Sequence, residues 1–496
     1  MDSPPPLFRF GFVCVPAGGQ PVVDRSWTDV VRCWRRLEFG DLVLYHDPET
    51  PVHLVEAPGD SAILIGEAFT ANATGVESAL GSLLAAKTDE RFFDVIDELS
   101  GRFALIVRTG SAYRAFHDPL GTRSLFYRAA GELCIGSHAE LVADAFGDRA
   151  NPAARQVVAS EEYKSRSVKY LPGDMTMFEG VRALAPNNLY DLVRRRTVRY
   201  WPRRERQPSH FSGFAAALDR HLAALAGHLR DRRAPIVGVT GGIDTRVLIA
   251  AFHRFELPFR GMTWRRKRGG VDDEELEVIE AVAGHAGIDH AYLDLSEIDD
   301  DMRVVARLAR RNVGGWGQPS RITAHMHRRF GDGRDVFVRG YGAEVIRGFY
   351  NLEGSPSLVR RVTRRTQRRS AIAKPTPRAL LRAYDSSMRA SQASAEHTRS
   401  GMAAFEGFIE RANFDASLAG FGFDLSDLFY WEHRMGIWGS AKHNEMDPAV
   451  LSLAGFNSRE VFEAGFGLEP DERLTKELLL RAIRRYDERL AEIPYL

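Results

Sequence analysis

Pro235-Ile-Val-Gly-Val-Thr-Gly-Gly-Ile-Asp-Thr-Arg-Val247 is the stretch on which the fold turns. An apolar run ends in paired glycines, and a helical pattern, Arg246–Phe255, begins a few residues later. Paired glycines let backbone N–H groups crowd around an anion, and a helix N-terminus behind them adds a favourable dipole. Thr240 and Thr245 put hydroxyls at the rim, and Asp244 puts a carboxylate where a phosphate-bound Mg2+ needs one. No lysine follows the glycines, so this is not a Walker A loop. A Gly-Gly turn before a helix is also common in loops that bind nothing, and the stretch alone leaves both alternatives open.

Downstream the rhythm continues as strand Phe259–Trp264, helix Glu274–Ala286, strand His290–Leu295 and strand Val336–Val338. Strands alternating with helices predict right-handed crossovers and a doubly wound parallel sheet. Upstream, from Phe8 to about Tyr200, the pattern is different. Short strands (Phe10–Val15, Asp41–Tyr45, Ala62–Ile65, Arg102–Val107, Tyr113–His117, Ser124–Tyr127, Leu133–Ser137) are interrupted by helical periodicity at Gly75–Lys87 and Phe92–Leu99. That predicts an antiparallel α+β domain. The polar stretch Arg203–His210, with Pro202 and Pro208, places the boundary, giving domains 1–205 and 206–496.

A chain of 496 residues exceeds what one core supports, which agrees with two domains. The net charge of +1 supplies no global field for nucleic acid or an anionic membrane, and no long apolar run is present. Cys14, Cys33 and Cys134 are too scattered for a disulfide framework or a zinc site, so a reducing cytoplasm is expected. Cys14, inside an apolar strand, reads as core. A basic insertion spans about 354–400, where Arg360, Arg361, Arg364, Arg365, Arg368 and Arg369 share a helical side. It reads as a solvated face, or as a docking surface for an acidic partner.

Thr240–Thr245 resembles the SGGxDS pyrophosphatase loop of the asparagine synthetase and β-lactam synthetase family, with threonine at both serine positions. His117-Asp118-Pro119-Leu120-Gly121-Thr122-Arg123-Ser124-Leu125-Phe126-Tyr127, followed by Gly131-Glu132-Leu133 and Ser137, resembles that family's amidotransferase signature. Leu171-Pro172-Gly173 through Phe178-Glu179-Gly180-Val181 to Tyr200-Trp201 resembles its domain-joining segment. The resemblance implies an Ntn-hydrolase-like αββα sandwich, then an α/β ATP-pyrophosphatase domain with a mostly helical C-terminal part. It also implies ATP and Mg2+ as cofactors. In glutamine-dependent members a terminal cysteine attacks glutamine. Here Asp2 follows Met1 and no cysteine opens the first strand, so no covalent glutaminase route is expected.

A second loop, Arg339-Gly340-Tyr341-Gly342-Ala343-Glu344, matches the tyrosine version of the family's second motif. Glu344 stands where the second Mg2+-binding aspartate is expected, so Asp244 and Glu344 are the implied metal ligands. Lys442-His443-Asn444-Glu445-Met446-Asp447-Pro448 resembles the segment carrying the glutamate that partners the catalytic tyrosine in β-lactam synthetase. Tyr341 and Glu445 are therefore the implied base pair for the attacking amine. The family's C-terminal lysine has no match, since the sequence stops at Glu492–Leu496 about where its motif begins. Lys476, Lys442 or an arginine is expected to substitute, with Lys476 placed among the catalytic candidates. Val239, Thr240, Gly241, Gly242, Asp244, Thr245, Trp264, Arg339 and Gly340 are the implied nucleotide contacts, while Glu274 and Glu275 read as acids favouring a helix start.

These expectations describe a cytoplasmic ligase that joins a small-molecule carboxylate to an organic amine through an acyl-adenylate, in specialised metabolism such as antibiotic biosynthesis. Ammonia-dependent amidation and a catalytically retired nucleotide-binding partner protein are the alternatives. Neither nucleic acid nor membrane is expected as a partner, and a homodimer is left open.

Overall fold

The computed structural model describes residues 8–18, 33–72, 74–230, 235–265, 273–297, 299–312, 321–331, 335–350 and 372–496. All six arginines singled out in the basic insertion lie outside the described residues. The part of that insertion within them carries helices Pro377–Asp385 and Ala395–Arg411.

Two six-stranded antiparallel sheets take up the first two hundred residues. One runs β10 (Val181–Ala183), β8 (Phe126–Arg128), β9 (Ile135–Gly136), β1 (Phe12–Pro16), β3 (Leu42–His46), β2 (Arg35–Phe39). The other runs β12 (Arg196–Arg199), β11 (Asn188–Asp191), β7 (Ala112–His117), β6 (Leu99–Thr109), β5 (Asp60–Thr70), β4 (Val52–Ala57). Period-two alternation lets each strand serve two cores. On β1, Phe12 and Cys14 join Ile63, Ile65, Ala104 and Ile106 of the opposite sheet, while Val13 and Val15 face the other way. The outer face of the second sheet is covered by helices Val76–Leu84 and Asp89–Glu98.

All seven strands expected here are present, and β2, β4 and β10 to β12 are additional. β2 and β4 are edge strands, β2 charged and largely exposed and β4 only part-buried, so neither shows the buried pattern that reveals a central strand.

The second architecture is a five-stranded, fully parallel sheet in the order β15 (Asp289–Asp294), β14 (Arg260–Arg265), β13 (Ile236–Gly238), β16 (Val336–Arg339), β17 (Leu451–Ala454). The chain builds outward from β13 to β15, then returns to the other side of β13 for β16. The strand order therefore reverses between β13 and β16, and the crevice at the carboxyl ends of such a pair is where open α/β sheets bind ligands. β17 is not expected from the sequence, because four residues far along the chain carry no period of their own. From Pro377 on, all other regular structure is helical, including a π-helix at Tyr430–Gly439.

Candidate active site

The loops after β13 and β16 meet at the reversal point. Val239 is buried, its N–H donates to the Met262 carbonyl (2.8 Å), and its carbonyl accepts from Thr263 Oγ1 (2.6 Å). The sheet and Thr263 thus engage both backbone groups of Val239, one of the implied nucleotide contacts. Helix Asp244–Arg254 follows, anchored by buried Val247, Leu248, Ala250 and Ala251. Gly340 has to be glycine for the loops to touch, since a Cβ there would lie 2.7 Å from both Thr245 N and Thr245 Cγ2. Gly342 adopts φ +105°, and its N–H donates to the Glu344 carboxylate at 3.1 Å.

This packing brings Asp244 and Glu344 together electrostatically. Burial, and then the negative charge of Glu344, push the Asp244 carboxyl up to about 7, against the opposing pull of Arg347 and Lys476. Asp244 Oδ2 accepts from Arg347 Nη2 at 2.7 Å, while Oδ1 is buried without a partner among the described residues. Two repelling carboxyls with an unmade bond fit a divalent cation that completes its shell with phosphate and water. Among the described residues no group of three or more acidic, His or Cys side chains forms a metal cage.

The loop amides are satisfied from within the chain. Gly241 N–H donates to Glu275 Oε1 (3.2 Å), and Gly242 N–H donates to Thr240 Oγ1 (3.2 Å), which also lies 3.2 Å from Thr245 Oγ1. Glu275 is therefore more than an acid at a helix start. The Gly241 carbonyl accepts from Leu496 N–H (3.0 Å), and buried Arg246 donates to the carbonyls of Ile493 (2.5 Å) and Pro494 (2.8 Å). Lys476 Nζ donates to the Leu496 carbonyl (3.0 Å) and lies 4.6 Å from the Tyr495 ring centroid. It reaches the site's field but is occupied by residues 495 and 496. Trp264 is half-buried against Phe337, edge to face at 5.7 Å, so its ring extends the core at the strand end.

Tyr341 and Glu445 do not form the expected pair. The Tyr341 hydroxyl donates to the Met435 carbonyl of the π-helix at 3.1 Å, and its ring packs edge to face on His443. Gly439 makes room for it, because a Cβ there would fall 1.1 Å from the Tyr341 hydroxyl oxygen. Burial, reinforced by Glu344, holds the phenol well above its ordinary range, so it keeps its proton. Glu445 sits on helix Ser440–Met446, where Lys442, one turn earlier, donates to Oε2 at 2.6 Å. Its Oε1 is buried without a partner among the described residues, and burial raises the carboxyl while Lys442 and Arg339 pull it down. Arg339 makes no side-chain hydrogen bond or ion pair among the described residues, and its charge is felt at both Tyr341 and Glu445.

The antiparallel region braces this crevice. Buried Arg102 donates to both Asp447 oxygens (2.5 and 2.7 Å) and to Asn444 Oδ1 (2.9 Å). Asp118, from the HDPLGTR segment, accepts from Thr122 N, Arg123 N and Asn457 Nδ2 at 2.9, 2.7 and 2.6 Å. Cys14 is buried on β1 with its thiol pushed up to about 12, which leaves no thiolate for nucleophilic attack.

Sequence reasoning missed Arg347, Glu275 and Arg246. Arg347 carried one faint signal, its place three residues beyond Glu344, but nothing local pairs it with Asp244.

No family model and no curated protein matches the chain. Among solved structures, NMN synthetase from Francisella tularensis shares 10% identity at TM-score 0.20, covering 28% of this chain and 58% of its own. Glutamine-dependent NAD+ synthetase from Acinetobacter baumannii, in complex with ADP, shares 10% at 0.18, covering 36% and 38%. Glutamine PRPP amidotransferase from B. subtilis, complexed with ADP and GMP, shares 12% at 0.23, covering 71% and 73%. The chain thus spans little more than half, and little more than a third, of the first two. At these scores the function has to be argued from the site itself. Among the described residues no helix is long and apolar enough to cross a membrane.

Proposed function

We propose that the chain is an ATP-dependent carbon–nitrogen ligase, which activates a carboxylate as its adenylate and passes the acyl group to an organic amine. The observation that carries this is the junction of two loops at the strand-order reversal, where Asp244 with an unpartnered oxygen faces the charge of Glu344 beside a Gly-Gly turn. In this reading the antiparallel sandwich is an Ntn-like scaffold, and the boundary near residue 205 separates it from the ATP-pyrophosphatase domain. Asp244 and Glu344 would hold Mg2+, which supplies charge neutralisation for a pyrophosphate leaving group.

The chain's own groups divide the remaining work. Gly241 and Gly242 offer amides to phosphate once Glu275 and Thr240 release them. Arg339, whose guanidinium at the end of β16 lies over the Phe337 ring and makes no hydrogen bond or ion pair among the described residues, would take the substrate carboxylate and then the charge developing on its oxygen. An incoming ammonium has to shed a proton before it attacks. Glu445, with one oxygen unpartnered among the described residues and a raised carboxyl, would be the acceptor, and Tyr341 would serve as a proton-holding wall rather than a base.

The test separates the two half-reactions. Glu445→Gln is expected to retain substrate-dependent exchange between pyrophosphate and ATP while product amide falls by about a hundredfold, the usual scale for a general base. Tyr341→Phe is expected to keep both within about tenfold, on the same scale. Amide formation at the wild-type rate by Glu445→Gln would remove Glu445 from the mechanism, and absence of exchange in the wild type with any carboxylate would remove the adenylation step.

A further inference from the structure

Arg347 is a charged group of the crevice, bonded to Asp244, that the scheme above leaves without a task. It follows helix Ala343–Ile346 directly, with its side chain 16% exposed. A guanidinium carries five N–H donors in a fixed fork, suited to gripping a carboxylate or phosphate at two points. Among the described residues the Arg347 side chain makes a single hydrogen bond, from Nη2 to Asp244 Oδ2 at 2.7 Å, and its Nε is buried without a partner. The carboxyl it touches is also half-used, since Asp244 Oδ1 has no partner either.

The pairing opposite is its mirror image. Gly241 N–H, the loop amide that would face a phosphate, is held by the Glu275 carboxylate at 3.2 Å. The crevice therefore places the chain's own cation where a metal ion belongs and its own anion where a phosphate belongs. A metal–nucleotide complex brings a replacement for each. A cation arriving at Asp244 displaces a guanidinium whose donors are largely unspent, next to the incoming phosphates.

We propose that Arg347 is a phosphate-binding residue of this site, held on Asp244 in the nucleotide-free chain as the stand-in for the divalent cation and released to the nucleotide's phosphates when the cation arrives. The proposal rests on the nucleotide reading above. It makes metal and nucleotide binding mutually reinforcing, because each ligand frees the group that the other engages. Lysine at 347 would restore the charge but not the two-point grip.

The experiment is a titration of the full chain, as wild type, Arg347→Gln, Arg347→Lys and Asp244→Asn, with a fluorescent ATP analogue in the presence and absence of Mg2+, and with Mg2+ alone by calorimetry. Arg347→Gln is expected to bind the Mg2+–nucleotide complex about tenfold more weakly or worse, the scale of a lost charge-assisted contact. The same variant is expected to bind Mg2+ alone more tightly than the wild type, since Asp244 is no longer occupied. Wild-type nucleotide affinity in Arg347→Gln, alongside lost affinity in Asp244→Asn, would overturn the proposal and leave the nucleotide site standing. No nucleotide binding by the wild type would remove the site and the proposal together. If Arg347→Gln does not fold, Arg347→Lys decides alone: about threefold weaker nucleotide binding is expected for loss of the fork, and unchanged affinity overturns the assignment.

Discussion

Asp244 is a carboxyl group that its surroundings discourage from ionising, raised to about 7 by burial and by Glu344. Its native value lies above that of the unfolded chain, so the native state binds a proton that the unfolded state gives up between about pH 4 and 7. Stability in metal-free buffer therefore falls as pH rises through that window. Asp244→Asn removes the ionising group, and at pH 8 without metal it is expected to be more stable than the wild type by about 1–3 kcal/mol. At pH 4 the gain should vanish, because the wild-type carboxyl is then neutral as well. Thermal melts at the two pH values check this, and an equal gain at both would show that charge is not the cause. The same substitution is expected to abolish Mg2+–nucleotide binding, a trade of function for stability.

At the scale of an element, the π-helix Tyr430–Gly439 decides what Tyr341 can do. Its last residue lacks a Cβ, and the phenol occupies that space to reach the Met435 carbonyl. Gly439→Ala would bring a methyl group to 1.1 Å from the hydroxyl oxygen and 2.2 Å from Cζ, so the ring has to leave. The expected cost is on the order of 3 kcal/mol in urea unfolding, the upper range for overpacking a filled core. Adding Tyr341→Ala empties the space, so the double substitution should cost at least about 1 kcal/mol less than the sum of the singles. Strict additivity would mean that the two positions do not compete for one volume.

For the whole molecule, the buried histidines set the acid limit. Burial holds His221 down to about 4 and His433 to about 3, and it also lowers His138 and His443 well below the ordinary value. These groups stay neutral in the native state but charge near pH 6.5 when the chain unfolds, so their contribution is lost as pH falls below that value. His221 and His433 each account for on the order of 3 kcal/mol by pH 4. Asp244 and Asp427, raised to about 7 and about 6, act in the opposite sense over part of the window. Summed over these six groups, roughly two more protons are bound by the unfolded chain near pH 5.5. The slope of urea-derived stability between pH 6 and 5 measures this, and a flat profile would contradict it. The consequence is shared by both sheet regions, because buried pairs such as Arg102 with Asp447 and Asp118 with Asn457 join them.

The sequence by itself determined the features that a few neighbouring residues can specify. The Gly-Gly turn at 241 and 242, the helix behind it, the alternation of strand and helix around β13 to β16, and the buried strand holding Cys14 were all legible. Backbone freedom and hydrophobic period are local properties, and they do not depend on distant partners. The edge strands β2 and β4 and the isolated β17 were not legible, since their neighbours rather than their own pattern make them strands. The tertiary structure decided most of the pairings at the site. It gave Asp244 to Arg347, Gly241 to Glu275 and Leu496, Glu445 to Lys442, and Tyr341 to the Met435 carbonyl. Except for Lys442, one helical turn from Glu445, these partners lie tens to hundreds of residues apart. Which of them meet depends on how closely two backbone segments can approach, and here Gly340 on the loop after β16 and Gly439 at the end of the π-helix set that distance by omitting a side chain.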